Sequence, residues 1–157
     1  MSAQYTFMEV KELYSIYRDY VKHEDELINR RLSWNLTLQG FLFAAYGVSF
    51  QVLAGPPNDA GLKQHMHYLP CVFSAVGLAV AILVLMSIMA AQDSIDGLRT
   101  AWHEPSRHID EALREALPGL TGAGQSFANR WGKVPQVGIP IVIILAWLML
   151  LAIAVSW

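Results

Sequence analysis

Three short segments carry residue types used in catalysis or ligand binding, but none has the spacing that the chemistry requires. The segment His103–His108 reads His-Glu-Pro-Ser-Arg-His, whereas the zinc-binding motif His-Glu-x-x-His needs its second histidine one position earlier. Protein zinc sites use at least three protein ligands, and His65 and His67 have no third potential ligand nearby in the sequence. The glycine-rich stretch 119–126 lacks the lysine of a phosphate-binding loop. We therefore expect no metal site, no cofactor and no enzymatic activity.

A different set of residues has a spacing that fits a transmembrane channel. At about 100° per residue, six side chains fall within about 80° of one helix face: Arg31, Asn35, Gln39, Leu42, Tyr46 and Ser49. Polar side chains are costly in lipid, so this face should meet protein or water. Two interpretations remain open, namely hydrogen bonding between helices of one chain or the lining of a pore formed by several copies. In a pore, Arg31, Asn35 and Gln39 would lie at the cytoplasmic entrance, and a ring of Arg31 would favour anions.

Small residues occupy another face of the same helix. Gly40, Ala44 and Gly47 lie about 150° around the helix axis from the polar residues, at about 100° per residue. Small side chains allow the backbones of two membrane helices to approach closely. We predict that this face packs against another helix.

Aromatic and basic residues alternate nearer the N-terminus. Tyr14 and Tyr17 lie close to Arg18 and Lys22, and such a combination can hold a nucleotide by stacking and phosphate contacts. The alternative is a packing stripe between neighbouring helices. Both interpretations remain open at this point.

The distribution of charge identifies the elements that carry these residues. The chain has 157 residues, of which 54% are hydrophobic and 15% charged. Residues 32–58, 64–92 and 134–157 contain no Asp, Glu, Lys or Arg. Each run exceeds the roughly 20 residues that a helix needs to cross a bilayer. We predict an all-α integral membrane protein with three transmembrane helices.

The predicted segments alternate between membrane and water. In chain order they are a cytoplasmic amphipathic helix at 1–33, a first span at 34–54, an outer loop at 55–68, a second span at 69–91, a cytoplasmic helical segment at 92–134 and a third span at 135–157. No proline or glycine lies between the N-terminal helix and the first span, so we predict one continuous helix from about residue 8 to 54. In the segment after the second span, helical pieces are predicted at 92–103 and 108–117, with Pro105 bending or dividing them.

Basic residues predict the orientation. Ten of the eleven Lys and Arg residues lie in segments 1–31 and 93–133, and only Lys63 lies between the first two spans. Basic residues accumulate on the cytoplasmic side of membrane proteins. The sequence therefore predicts an N-terminus in the cytoplasm and a C-terminus outside.

The stretch YRDYVKHEDELINRRLSWNLTLQGFLFAAYG, residues 17–47, resembles a pattern found in small bacterial membrane proteins. The three-span plan is similar to that of the small membrane effectors of bacterial anti-phage systems that act by abortive infection. One of these effectors is the channel subunit of the Hailong system, to which short DNA oligomers bind. The resemblance implies an antiviral defence role and regulation by a nucleotide or short oligonucleotide that a partner enzyme makes.

Two functions are compatible with the sequence. The first is an oligomeric, ligand-gated membrane channel or pore that arrests or kills the cell when it opens. It follows from the polar face of the first span, from the absence of a catalytic grouping and from the resemblance. The alternative is a non-conducting membrane anchor that presents its cytoplasmic helices to a soluble partner.

Overall fold

Three helices make up the described part of the chain. The computed structural model describes residues 7–54, 67–107, 109 and 134–156. The helices are α1 at Phe7–Ala54, α2 at Leu69–Arg107 and α3 at Val134–Ser156, and the described residues contain no strand. Each helix is long and apolar enough to cross a membrane. The predicted all-α fold with three membrane-spanning helices is confirmed.

Helix α1 is unbroken over 48 residues. At 1.5 Å per residue it is about 70 Å long, more than twice the roughly 30 Å of a bilayer's hydrocarbon core. Its backbone hydrogen bonds are all made within the helix, so no interruption is needed where the polar half meets the apolar half. The prediction of one helix continuous with the first span is confirmed.

Helix α2 is longer than its predicted span. The sequence predicted a second span at 69–91 and a helical piece at 92–103 that Pro105 bends or separates from the next piece. A single helix from Leu69 to Arg107 contains both the span and the piece and continues past Pro105. A proline removes one backbone hydrogen bond, and here the helix ends two residues after it. The second predicted piece, 108–117, lies outside the described residues except for Ile109.

Helix α2 lies between α1 and α3 and packs along both. The polar half of α1 packs against the C-terminal half of α2. Val21 and Ile28 of α1 are buried there together with three apolar residues of α2, namely Ile88, Ala91 and Ile95. Val21 and Ile28, which are apolar residues of the predicted amphipathic helix, are thus buried against α2.

Trp147 forms the second packing centre, within the apolar halves of the helices. Its side chain is fully buried. The indole stacks on Phe43 of α1, with ring centroids 4.3 Å apart, and meets the ring of Tyr46 edge-on at 6.1 Å. On α2 it lies against Gly77, where a Cβ atom would overlap the indole ring. The absence of a side chain at Gly77 therefore allows α3 to place its tryptophan between the other two helices.

We expect Gly77→Ala to destabilise the helix bundle and Gly97→Ala to leave it intact. Alanine is intrinsically better than glycine in a helix by about 0.5–1 kcal/mol, and a Cβ at Gly97 meets nothing within 4 Å. At Gly77 the added methyl group displaces Trp147, and overpacking of this kind costs about 1–3 kcal/mol.

The measurement is the free energy of unfolding of the two variants in detergent micelles. Both variants make the same chemical change in the same helix, so Gly97→Ala is a matched control. Equal stability of the two variants would contradict the close packing of Trp147 on Gly77.

Candidate functional site

The six residues of the predicted polar face form what we call the inner face of α1, because they point toward α2 and α3. The inner face comprises Arg31, Asn35, Gln39, Leu42, Tyr46 and Ser49. Asn35 and Gln39 are each only 2% exposed. Tyr46 and Ser49 are also buried, and Arg31 and Leu42 are partly buried. The inner face therefore lies inside the single chain.

Gln39 joins all three helices through its side-chain amide. Its Nε2 group donates to the backbone carbonyl of Gly77 in α2 at 3.1 Å and to the Oδ1 atom of Asn35 at 3.2 Å. Its Oε1 atom accepts a hydrogen bond from the indole Nε1 of Trp147 in α3 at 2.6 Å. A buried amide has to be paired to offset the loss of water. The three helices together supply those partners.

The other polar side chains of the inner face also make hydrogen bonds within the chain. Arg31 donates from Nη1 to the carbonyl of Ser87 at 3.1 Å. The hydroxyl of Tyr46 donates to the carbonyl of Leu150 at 3.2 Å. This arrangement corresponds to the first of the two interpretations of the polar face, hydrogen bonding between helices of one chain.

The small residues lie on the opposite side of α1. Gly40, Ala44 and Gly47 are exposed, and a Cβ added at Gly40 or Gly47 would meet nothing within 4 Å. The predicted helix packing of this face is therefore not made within the described part of the chain. A helix that packs there would have to come from elsewhere, such as another copy.

Three polar residues share the exposed side with the small ones. At about 100° per residue, six exposed residues fall within about 80° of each other and about 160° from the inner face. We call this set the outer face: Ser33, Thr37, Gly40, Ala44, Gly47 and Gln51. Sequence reasoning singled out only the three small members. The same angular count applied to the polar residues would have found the other three.

The outer face differs from the exposed surfaces of α2 and α3. Large aliphatic side chains and methionines dominate those surfaces: Val72, Val76, Leu83 and Met86 on α2, and Val142, Leu145, Met149 and Val155 on α3. Such side chains suit contact with lipid tails. The outer face of α1 instead offers hydroxyl groups, an amide and bare backbone.

A second polar link between the three helices lies closer to the charged part of the chain. Gln136 of α3 accepts a hydrogen bond from Nε2 of Gln92 at 3.2 Å and donates from its own Nε2 to Asp25 of α1 at 3.3 Å. The first turn of α3 is thereby tied to both other helices. Together with Gln39, this link fixes the rotation of α1 at two levels.

The structure does not gather the four residues of the predicted nucleotide contact into one site. The rings of Tyr14 and Tyr17 both lie against Trp102 of α2, with centroids 5.7 and 5.4 Å away. Arg18 is exposed, and Lys22 pairs with Glu26 at 3.8 Å. The two tyrosines thus pack α1 onto α2.

The described residues contain no group of three or more His, Cys, Asp or Glu side chains that could hold a metal ion. His67 lies edge-on to the ring of Tyr68. His65, His108 and the glycine-rich stretch 119–126 lie outside the described residues.

Comparison with known proteins adds one finding to this geometry. The model of the octameric membrane protein family (8xMP) matches residues 11–156, which include all of the inner and outer faces. No curated protein and no solved structure matches the chain.

We expect Gln39→Leu to destabilise the fold and Gln51→Leu to have little effect. Leucine at position 39 leaves the Trp147 indole and the Gly77 carbonyl without their partner. A hydrogen bond within a membrane protein contributes about 0.6 kcal/mol on average, so the three bonds of Gln39 together contribute about 2 kcal/mol. Gln51 is exposed on the outer face, and surface substitutions usually change stability by less than about 0.5 kcal/mol.

Unfolding of the purified variants in micelles gives both values, with Gln51→Leu as the control for the change from Gln to Leu. If Gln39→Leu were as stable as Gln51→Leu, the inner face would not hold the three helices together.

Proposed function

The chain belongs to the octameric membrane protein family, and we propose that its copies surround a central aqueous path and form a ligand-gated channel. The observation that carries this proposal is the outer face of α1. It is exposed and consists of polar and very small side chains, although it lies in an otherwise apolar section of the helix. Such a face is poorly suited to lipid. It suits the axis of a ring of copies, where it would meet water.

The size of such a ring supports a path rather than a filled core. Eight helices placed side by side, with axes about 9–10 Å apart, enclose a central space about 15 Å wide once the helix radius of about 5 Å is subtracted. Glycine, alanine and serine side chains cannot fill this space. Because Ser33, Thr37 and Gln51 present polar atoms toward it, water would occupy it.

The inner face cannot take this role while the three helices stay together. Turning Gln39 toward a central axis would break its hydrogen bonds to Gly77 and Trp147. The Trp147 indole and the Gln39 amide would then lose their buried partners, which is costly in an apolar environment. The outer face requires no such rearrangement.

Gating is the second part of the proposal. The N-terminal half of α1 packs on the extension of α2 through Val21 and Ile95 and, further on, through Tyr14 and Trp102. Force applied to this paired arm by a ligand or partner protein would reach the outer face along an unbroken helix. A nucleotide or short oligonucleotide made by a partner enzyme is the proposed ligand, on the resemblance to anti-phage effectors.

The biological role proposed from the same resemblance is a defence effector. Opening of the channel would dissipate ion gradients and arrest the infected cell. This role places the protein in the bacterial inner membrane with its N-terminus in the cytoplasm. The concentration of ten of the eleven basic residues in segments 1–31 and 93–133 supports that orientation.

We expect cysteines on the outer face to react with a charged, water-soluble thiol reagent and to reduce ion flux through the open channel. After Cys71→Ala removes the only native cysteine, Thr37→Cys and Ala44→Cys test the proposed lining. Leu42→Cys on the inner face and Leu145→Cys on the exposed side of α3 serve as matched controls and should stay unmodified. The measurement combines the extent of labelling with ion flux in liposomes.

Two results would contradict the proposal in different ways. If the protein conducts ions but the cysteines at positions 37 and 44 do not react with the thiol reagent, the ion path lies elsewhere. If liposomes that contain many copies of the protein stay impermeable to ions when the ligand-producing partner enzyme is present, the alternative of a non-conducting membrane anchor would be favoured.

A further inference from the structure

Arg30 and Arg31 are adjacent in sequence but have opposite surroundings. Arg31 is partly buried and donates to the carbonyl of Ser87 in α2 at 3.1 Å. Arg30 is exposed, and no ion pair involves its guanidinium among the residues that the structure describes. Glu26, which is one helical turn away and could pair with it, lies instead 3.8 Å from Lys22. Of the two arginines, only Arg30 presents its charge outside the chain.

Arg30 also lies next to the outer face. It precedes Ser33 by three residues, a rise of about 4.5 Å along the helix, and projects about 60° from the centre of the outer face. From residue 32 to 58 the chain has no Asp, Glu, Lys or Arg. Arg30 is therefore the last charged side chain on this side of α1 before the uncharged section.

We propose that Arg30 sets the ion selectivity of the channel and makes it prefer anions. This inference rests on the proposed aqueous path along the outer face. In a ring of copies, Arg30 repeats around the mouth of the path, and rings of Arg or Lys are a means by which pores select anions. The rise of about 4.5 Å along the helix from Arg30 to Ser33, the first residue of the lining, is shorter than the screening length of about 8 Å.

Two groups oppose this preference, and both are weaker. The Ser33 and Thr37 hydroxyls donate to the carbonyls of Asn29 and Ser33 at 3.0 and 3.1 Å, so their oxygens keep acceptor lone pairs that favour cations. These are dipoles, whereas Arg30 carries a full positive charge. Glu26 is about 10 Å from Ser33 along the helix, beyond the screening length, and Lys22 offsets its charge.

The test is the reversal potential of the full-length channel in planar bilayers under a potassium chloride gradient. The current through the wild-type channel is expected to reverse at a potential shifted from zero toward the equilibrium potential of chloride. Arg30→Gln should move the reversal potential toward zero, and Arg30→Glu should move it toward the equilibrium potential of potassium. Arg31→Gln, the same change at the neighbouring residue, should leave the reversal potential unchanged and lower the free energy of unfolding, because it removes the bond to Ser87.

A chemical version of the test avoids any folding defect of the variants. Arg30→Cys, combined with Cys71→Ala, is reconstituted and then modified in place with a positively or a negatively charged thiol reagent. The positive adduct should restore the anion preference and the negative adduct should reverse it. If the channels conduct but neither adduct changes their reversal potential, the assignment of Arg30 is overturned and the channel proposal still stands. Assembled wild-type protein that passes no current even when the partner enzyme and its nucleotide substrates are present would overturn the channel proposal itself.

Discussion

The side-chain amide of Gln39 is the constraint on which the rest of the structure depends. An amide in an apolar environment needs partners, and it finds them in the Gly77 carbonyl and the Trp147 indole. These bonds form only when Gly77 has no side chain and the indole fills the space beside it. One interaction thus fixes the distance between α2 and α3 and the rotation of α1 about its own axis.

The fixed rotation of α1 decides which of its residues remain outside. Once Asn35, Gln39 and Tyr46 are turned inward, Gly40 and Ala44 must point outward, because they lie on the other side of the helix. The exposed polar and small surface is a direct consequence of the buried polar surface. This relation connects the packing of one chain with the assembly of several, since the outer face carries exposed polar side chains within the uncharged section of α1.

Sequence patterns predicted the three helices, the continuity of α1 and the grouping of its polar residues, because charge-free runs and the helical repeat act locally. They did not decide which way the polar group faces. That direction depends on Gly77 and Trp147, which lie 38 and 108 residues from Gln39, and single-chain periodicity carries no information about such contacts. The helical piece at 92–103 was predicted, but its continuation through Pro105 to Arg107 was not, because a proline near a helix end is less disruptive than one in its interior.

A density map of the assembled protein in lipid nanodiscs would show whether the inner face of α1 holds the chain together while the outer face surrounds the symmetry axis. We expect α1 to be the innermost helix, with Gly40 and Ala44 facing a water-filled axis and Gln39 bonded to Trp147 within its own chain. A map in which α2 or α3 lines the axis, or in which lipid covers the outer face of α1, would contradict this arrangement.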